Sequence, residues 1–309
     1  MGVRFVREVA VMFKDIPTAS TFSVVKEIKD GMSGDRKYYI ETVDGQKLLL
    51  RISEAANIDT KKKDYDFLTS LNKANLPVPQ AIDFGLCEKG QSVYMLLEWM
   101  EGKEAEKVLP DMPKDKQYRL GVKAGQILRG IHENAAIKSA EQNWYDRYFD
   151  VITPRIDAYK NEGIPFEGAE EILTFIEENK HLLHDRNQCN IHGDYHLGNL
   201  IIAGEDLFVI DWQTVDFEGV ADPWVDFKSI GVDHIAFAVG QIDGYFESQV
   251  PEEFWRMLAL YLSTSAITSI VWAKYVAPDC LDSIMELNQN VVKGYDNMKQ
   301  VIPTWYREF

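Results

Sequence analysis

The chain of 309 residues is poor in several things that would fix its class early. It has three cysteines, Cys87, Cys189 and Cys280, odd in number and far apart. No disulfide framework or CxxC metal knuckle is readable, which points to a reducing, cytoplasmic setting. It has six histidines, too scattered to form a second matched ligand pair. The N-terminus lacks an apolar core of the kind a secretory leader carries. Long hydrophobic runs are scarce. The longest uncharged stretch, Met257 to Ala273, holds Ser263, Thr264, Ser265, Thr268 and Ser269, and reads as a buried core helix rather than a membrane span. Positive charge is in deficit: 33 Lys and Arg against 49 Asp and Glu give a net charge of −16. That excludes a basic nucleic-acid surface as the leading function. The deficit is uneven. Residues 1–100 carry 14 basic and 14 acidic side chains, and residues 101–309 carry 19 and 35. The second part therefore holds the whole acidic excess, which either aids solubility or steers a cationic small molecule.

What is there centres on Cys189-Asn-Ile-His192-Gly193-Asp194-Tyr195-His196-Leu-Gly198-Asn199-Leu-Ile-Ile202, followed by Leu207-Phe-Val-Ile-Asp211-Trp212. Two apolar runs joined by Ala203-Gly204-Glu205-Asp206 read as a β-hairpin. Asp194 and Asn199 would stand at its entry and Asp211 at its exit. Two carboxylates and an amide are hard oxygen donors of the kind Mg²⁺ takes, with water and phosphate completing its shell. Two other readings stand beside this one. The first is a plain hairpin with polar turns. The second is a metal hydrolase in which His192, Asp194 and His196, on one strand face, chelate zinc.

The pattern His192-Gly193-Asp194-x-x-x-x-Asn199, with Asp211 ending the next strand, resembles the catalytic core of the aminoglycoside phosphotransferase family, small-molecule relatives of the protein kinases. The resemblance runs from about Val24 to His234 and is most specific over residues 192–211. It implies an α+β, two-lobed, protein-kinase-like fold. A small five-stranded lobe with one helix would span residues 1–98, an interlobe linker 99–102, and a larger, mainly helical lobe 103–309. It implies transfer of the γ-phosphoryl group of ATP or GTP to an alcohol, with Mg²⁺ as cofactor. Asp194 would orient the acceptor hydroxyl and take its proton, Asn199 and Asp211 would hold Mg²⁺, and His192 would steady the loop.

The rest of the chain is read in order around that core. Residues 21–28, 36–43 and 47–52 are predicted strands of a meander, with Asp44-Gly45 as a hairpin turn. By resemblance, Gly31-Met32-Ser33-Gly34 stands where a flap covers the nucleotide, and Ser33 with nearby backbone N–H groups would meet phosphate. Arg51 stands where protein kinases carry a lysine, and its guanidinium would hold the phosphates. Residues 56–75 form a predicted helix with Phe67, Leu68 and Leu71 on one face. Protein kinases pair the strand-three cation with a Glu on this helix, and the resemblance puts Asp64 in that place as the partner of Arg51, with Asp66 as rival. Pro77-Val78-Pro79 ends the helix. Strands at 80–86 and 92–98 follow. The linker resemblance assigns the adenine contacts to the Glu98 carbonyl and the Met100 amide.

Beyond Gly102 the pattern turns helical. Residues 115–132 carry a stripe of Leu120, Ala124, Ile127, Leu128 and Ile131, with His132 as a structural residue at its end. Further helices are predicted at 144–159, 167–183, 252–274 and 282–301. Trp144, Tyr145, Tyr148 and Phe149 either line an acceptor pocket or pack, and packing is the reading taken. A helix beginning at Pro223 would be capped by Asp222. Asp226 in its first turn reads as structural, and the resemblance implies that this Asp-Pro-x-x-Asp region braces the catalytic loop. Asp216 and Glu218 are candidate contacts to a cationic acceptor. An aminoglycoside fits the acidic second part. A macrolide or a metabolite such as choline fits the core motif equally, and a nucleotide-binding regulator without turnover is the remaining reading. Neither nucleic acid, membrane nor an obligate protein partner is called for.

Overall fold

The structure, a computed structural model, describes residues 13–29, 34–134, 142–212 and 217–307. Ser33 and Asp216 lie outside the described residues. The chain divides into two compact units: Met1–Gly102 with Phe208–Ile210, and Lys103–Leu207 with Asp211–Phe309.

The first unit is built on a five-stranded antiparallel sheet of order β1-β2-β3-β5-β4, the α+β arrangement of a kinase-like small lobe. β1 (Phe22–Ile28), β2 (Arg36–Thr42) and β3 (Lys47–Glu54) make the meander. The β2–β3 turn closes through Gly45 N–H to Thr42 C=O at 3.1 Å, with Gly45 at φ +85°. Alternation along β3 decides the rest. Leu48, Leu50 and Ile52 point into a core shared with Phe13, Ile16, Phe22, Tyr38, Ile40, Tyr94 and Leu96, while Arg51 takes the opposite face. Each fully buried side chain of this kind contributes about 1.5–3 kcal/mol. Helix α1 (Ile58–Lys73) covers β4 (Ala81–Cys87) and β5 (Ser92–Glu98) with Leu68 and Leu71. Its end is tied down by Asn72, whose amide donates to the Pro79 carbonyl at 3.0 Å and accepts from the Ala81 N–H at 2.9 Å.

The second unit opens with β6 (Lys103–Glu104) and α2 (Lys114–Glu133). α3 (Trp144–Glu162) and α4 (Ala169–Asn179) follow. Next come β7 (Cys189–Asn190), the hairpin strands β8 (Leu200–Ala203) and β9 (Asp206–Val209), and β10 (Val220–Ala221). The hairpin turns over two residues, Gly204 and Glu205, rather than four. After Asp222 the chain forms a 3₁₀ turn at Pro223–Ser229 and not a long helix. α5 (Ile235–Phe246), α6 (Glu252–Val276) and α7 (Leu281–Gly294) complete the unit. α6 alone among described helices is long and apolar enough to cross a membrane, yet 72% of that window is buried within the fold, as a core helix requires. It packs on α3, α4 and α7, and the Trp144 indole donates to the Tyr261 hydroxyl at 2.8 Å.

α2 and α5 touch backbone to backbone. Gly121 and Gly125 on one helix meet Gly240 and Gly244 on the other. A Cβ at Gly125 would lie 2.0 Å from the Gln241 carbonyl oxygen, and one at Gly244 2.1 Å from that of Val122. Neither obstacle is a flexible side chain, so the helices must separate to admit a methyl. Gly125→Ala is expected to cost about 3 kcal/mol, the upper end of overpacking penalties. Urea denaturation measures it, and an unchanged midpoint would refute the close approach.

Candidate active site

The loop that carries Asp194 is positioned from below by a buried carboxylate. β7 pairs with β10, and Ile191 N–H bonds the Gly219 carbonyl at 2.9 Å, so the chain enters the loop in extended form. It then turns at Gly193, with φ +85°, a conformation that glycine adopts without strain. Asp226, fully buried, accepts from His192 N–H through Oδ2 and from Gly193 N–H through Oδ1, both at 2.8 Å. Its Oδ2 also meets His132 Nε2 at 3.0 Å, and His132 Nδ1 meets the Tyr245 hydroxyl at 2.9 Å. A carboxylate capping two consecutive amides is the expected support for the loop. Burial pushes the Asp226 carboxyl up, but the His132 contact and the nearby charge of His192 and Lys228 more than offset it and hold it below the ordinary range.

His192 is fully buried. Its Nδ1 accepts from the Asp194 N–H at 3.2 Å, and its ring lies against Tyr195 and Trp212 at 5.4 and 4.5 Å. A ring spent in this way does not share a metal with Asp194 and His196. Among the described residues, no group of three or more His, Cys, Asp or Glu side chains is placed to hold a metal ion, so the zinc-hydrolase reading has no site.

Asp194 itself is half-buried and held on several sides. Asn199 Nδ2 donates to its backbone carbonyl at 2.9 Å and to its Oδ2 at 3.2 Å. His196 Nε2 stands 3.5 Å from the same oxygen, while His196 Nδ1 accepts from the Gly198 N–H at 3.1 Å. The neutral ring therefore carries its proton on Nε2, facing the carboxylate. Lys228 Nζ donates to the Gly193 carbonyl at 2.8 Å and adds positive charge beside the loop. Burial raises the Asp194 carboxyl, but His196, Lys228 and His192 outweigh it, and the group sits below the usual carboxylate range. The converse holds for His196: burial lowers it, and the Asp194 contact with the charges of Glu106 and Asp211 carries it above an ordinary imidazole. The loop thus presents an ionised carboxylate, oriented by an amide and an imidazole.

Asp211 follows β9 in left-handed backbone at φ +59°, near enough for its charge to act on the His196 ring. Asn199 commits its NH₂ group to Asp194, which leaves its Oδ1 as the atom to offer a cation. An amide oxygen and a carboxylate are the small, hard donor set that Mg²⁺ takes from protein.

Glu218 is exposed, at φ +52°, on the segment leading to β10. Arg147, on α3, donates to the Phe217 and Val220 carbonyls at 2.7 and 2.8 Å and ties that segment down. Trp144 and Tyr148 are buried against Phe217 and Tyr261, in packing roles. Asp222 caps the 3₁₀ turn by accepting from Trp224 N–H at 2.7 Å and pairs with Arg186, whose guanidinium lies 4.0 Å from the Trp224 ring centroid.

In the first unit, Arg51 contacts Asp35 through Nε at 3.0 Å and Nη2 at 2.8 Å. Lys61 of α1 joins the same carboxylate at 2.9 Å. Asp64 lies three residues further along α1, half-buried. Glu98 ends β5, its carboxylate accepting from the Gln80 N–H at 3.2 Å, and Met100 follows, half-buried. Sequence reading missed Asp35, Lys61, Lys228, Arg147 and Tyr245. No local pattern marks them, since each acts through a partner distant in sequence.

The family that the sequence matches is one of phosphotransferases, enzymes that pass a phosphoryl group to an acceptor such as an alcohol. The chain belongs to the phosphotransferase enzyme family whose model, APH, matches residues 24–257. Solved structures agree on the fold. A choline/ethanolamine kinase family protein from Mesorhizobium loti superposes with a TM-score of 0.62 at 14% identity, covering 99% of both chains. A thermostable mutant of the aminoglycoside phosphotransferase APH(4)-Ia, in ternary complex with ADP and hygromycin B, gives 0.62 at 15% identity, covering 93% of this chain and 97% of that one. The amicoumacin kinase hAmiN, in complex with AMP-PNP, Ca²⁺ and Ami, gives 0.61 at 12%, covering 92% of each. Among curated proteins, acyl-CoA dehydrogenase family member 10 of Mus musculus is 23% identical over 265 residues, 78% of this chain. The match spans only 24% of that relative's length.

Proposed function

We propose that this protein is a kinase that moves the γ-phosphoryl group of ATP or GTP to a hydroxyl of a small cationic molecule, an aminoglycoside being the first candidate. The observation that carries the transfer is the Asp194 carboxylate, kept ionised by His196 and Lys228 and aimed by the Asn199 amide. In this reading Asp194 hydrogen-bonds the acceptor hydroxyl, sets it in line with the phosphoryl group and takes its proton. Asn199 holds Asp194 in place, and His192 fixes the turn that presents it. Arg51 neutralises phosphate charge, with Asp64 on α1 as the acid that steadies it. Ser33 contributes to the phosphate flap. The Glu98 carbonyl and Met100 amide read the base. Asn199 and Asp211 would hold Mg²⁺, which when bound neutralises charge on the transferring phosphate oxygens. Positioning and charge neutralisation are what such a reaction needs from a protein.

The acidic excess of residues 101–309 supports a cationic acceptor. Asp216 and Glu218 are proposed contacts to it. A metabolite such as choline is the second reading, supported by the full-length likeness to a choline/ethanolamine kinase family protein. The buried packing of Trp144 and Tyr148 leaves it without an aromatic cage from those residues.

A coupled kinase assay over aminoglycosides, macrolides and choline, with ATP and GTP, tests the proposal. Turnover of an aminoglycoside is the expected result; turnover of choline alone moves the acceptor to the metabolite, and no turnover with bound nucleotide leaves a regulator. In a nucleotide titration run with and without Mg²⁺, Asp211→Ala is expected to abolish the Mg²⁺-dependent part of binding, because a carboxylate is lost from a two-residue donor set. An unchanged Mg²⁺ titration would remove Asp211 from the site.

A further inference from the structure

The face of the small sheet that carries Arg51 holds a second cation. Lys61 reaches from α1 toward β3, and its Nζ lies 2.9 Å from Asp35 Oδ2. Arg51 approaches the same oxygen with Nε at 3.0 Å and Nη2 at 2.8 Å, and Ser53 Oγ donates to Oδ1. Three segments of chain thus converge: β3 with Arg51 and Ser53, α1 with Lys61, and the residue just before β2. The side chains of Arg51, Lys61 and Asp35 are 14%, 21% and 7% exposed. One carboxylate oxygen receives three N–H donors, and the other receives a hydroxyl. That donor set suits any compact oxyanion. A guanidinium edge and an ammonium are the two side-chain chemistries that bind phosphate best. The present occupant is a side chain of this chain.

We propose that Arg51 and Lys61 form a two-cation site for a phosphate group of the nucleotide, and that Asp35 is an intramolecular stand-in which the phosphate displaces. This rests on the kinase reading and adds Lys61 to the nucleotide-binding residues. The displacement has a simple cause. A phosphate brought to the same donors meets the Asp35 carboxylate as a like charge, and the two anions cannot share the site. The nucleotide therefore binds only the fraction of molecules in which Asp35 has moved away, and its apparent affinity is reduced by that fraction. The opposing role is a permanent strut: Asp35 would hold the Arg51 fork in position and stay paired when nucleotide is bound.

The two roles predict effects of opposite sign. Asp35→Asn removes the competing charge and keeps the side-chain shape. As a stand-in, its loss tightens ATP binding by about three- to tenfold, the gain that follows from freeing the competent state. As a strut, its loss weakens binding. Lys61→Met is expected to weaken ATP about tenfold, through loss of a charge-assisted contact, with little change for adenosine. Lys61→Arg should restore most of the loss. Isothermal titration of the protein with ATP, adenosine and inorganic tripolyphosphate, in the presence of Mg²⁺, reads all of these. Thermal unfolding of each variant confirms that it is folded. Tripolyphosphate is expected to compete with ATP in wild type and less well in Lys61→Met. Weaker ATP binding by Asp35→Asn, or unaltered ATP binding by folded Lys61→Met, overturns the inference while leaving the kinase reading intact. Failure of wild type to bind any nucleotide would instead count against the kinase reading.

Discussion

Asp194→Ala is expected to lower kcat by about 10²- to 10⁴-fold, the usual contribution of a positioned proton acceptor, while nucleotide affinity stays close to wild type. Asp194 stands on a loop, half-buried, with its carboxylate held by the Asn199 amide and facing His196. Its side chain is not a core element, so the variant loses function without losing the fold. The loss should fall on kcat, because a hydroxyl set in line matters as the phosphoryl group moves and little in nucleotide binding. Asp194→Asn sharpens the test. It preserves shape and one acceptor oxygen but cannot take a proton. If Asn restores turnover, the residue orients the acceptor and does no proton work. The acid side of the wild-type pH profile carries the same information. His196 and Lys228 hold the carboxyl below its ordinary range, so protonation of Asp194 brings no decline at mildly acidic pH. Near-full turnover by Asp194→Ala, measured at saturating acceptor, would remove the assignment.

How much of this was legible in the chain follows from distance in sequence. The meander, the Asp44-Gly45 turn and the hairpin that follows the catalytic loop are written in local alternation and turn residues, and they appear where expected. Asp222 was legible as a cap, since an Asp before Pro marks a helix start. The cap does not encode length: the turn it starts ends at Ser229, and α5, beginning at Ile235, went unread. α5 is apolar nearly all round, with weak periodicity, and is buried on most sides. α7 stops at Gly294, before the left-handed residues Asp296, Asn297 and Met298, although the apolar pattern continues to Val301. In the site, His192, Asp194, Asn199 and Asp211 are fixed by spacing within twenty residues. Asp226 meets His192 across 34 positions, and Lys61 meets Asp35 across 26. Such partners are set by which strands pair and which helix covers them. The glycine contact between α2 and α5 is of the same kind, as Gly121 and Gly125 look like weak points in a helix until Gly240 and Gly244 are laid against them.

Asp226→Asn is expected to lower both stability and turnover, by about 3–5 kcal/mol for the first, the usual cost of breaking a buried charged contact. The argument is a matter of acceptors. Asp226 supplies two oxygens, and both are used: Oδ2 by His192 N–H and His132 Nε2, Oδ1 by Gly193 N–H. Asparagine keeps one oxygen and turns an NH₂ group toward the other donors. At least one buried N–H then loses its partner, at about 1–3 kcal/mol, and donor faces donor. Small domains have only about 5–15 kcal/mol in hand, so the variant should unfold at clearly lower urea. The amides involved precede Asp194 by one and two residues, so kcat should fall through misplacement of the carboxylate. The pH dependence gives a readout that a bulk packing defect lacks. The Asp226 carboxyl is held below its unfolded value in the fold. Its contribution is therefore present above the unfolded pKa and is lost as pH falls through the folded one. Wild-type stability should decline on acidification with this component, and the Asp226→Asn curve should be flatter over the same range. A variant with wild-type urea midpoint, wild-type acid slope and normal kcat would show that the loop holds its shape without the buried carboxylate.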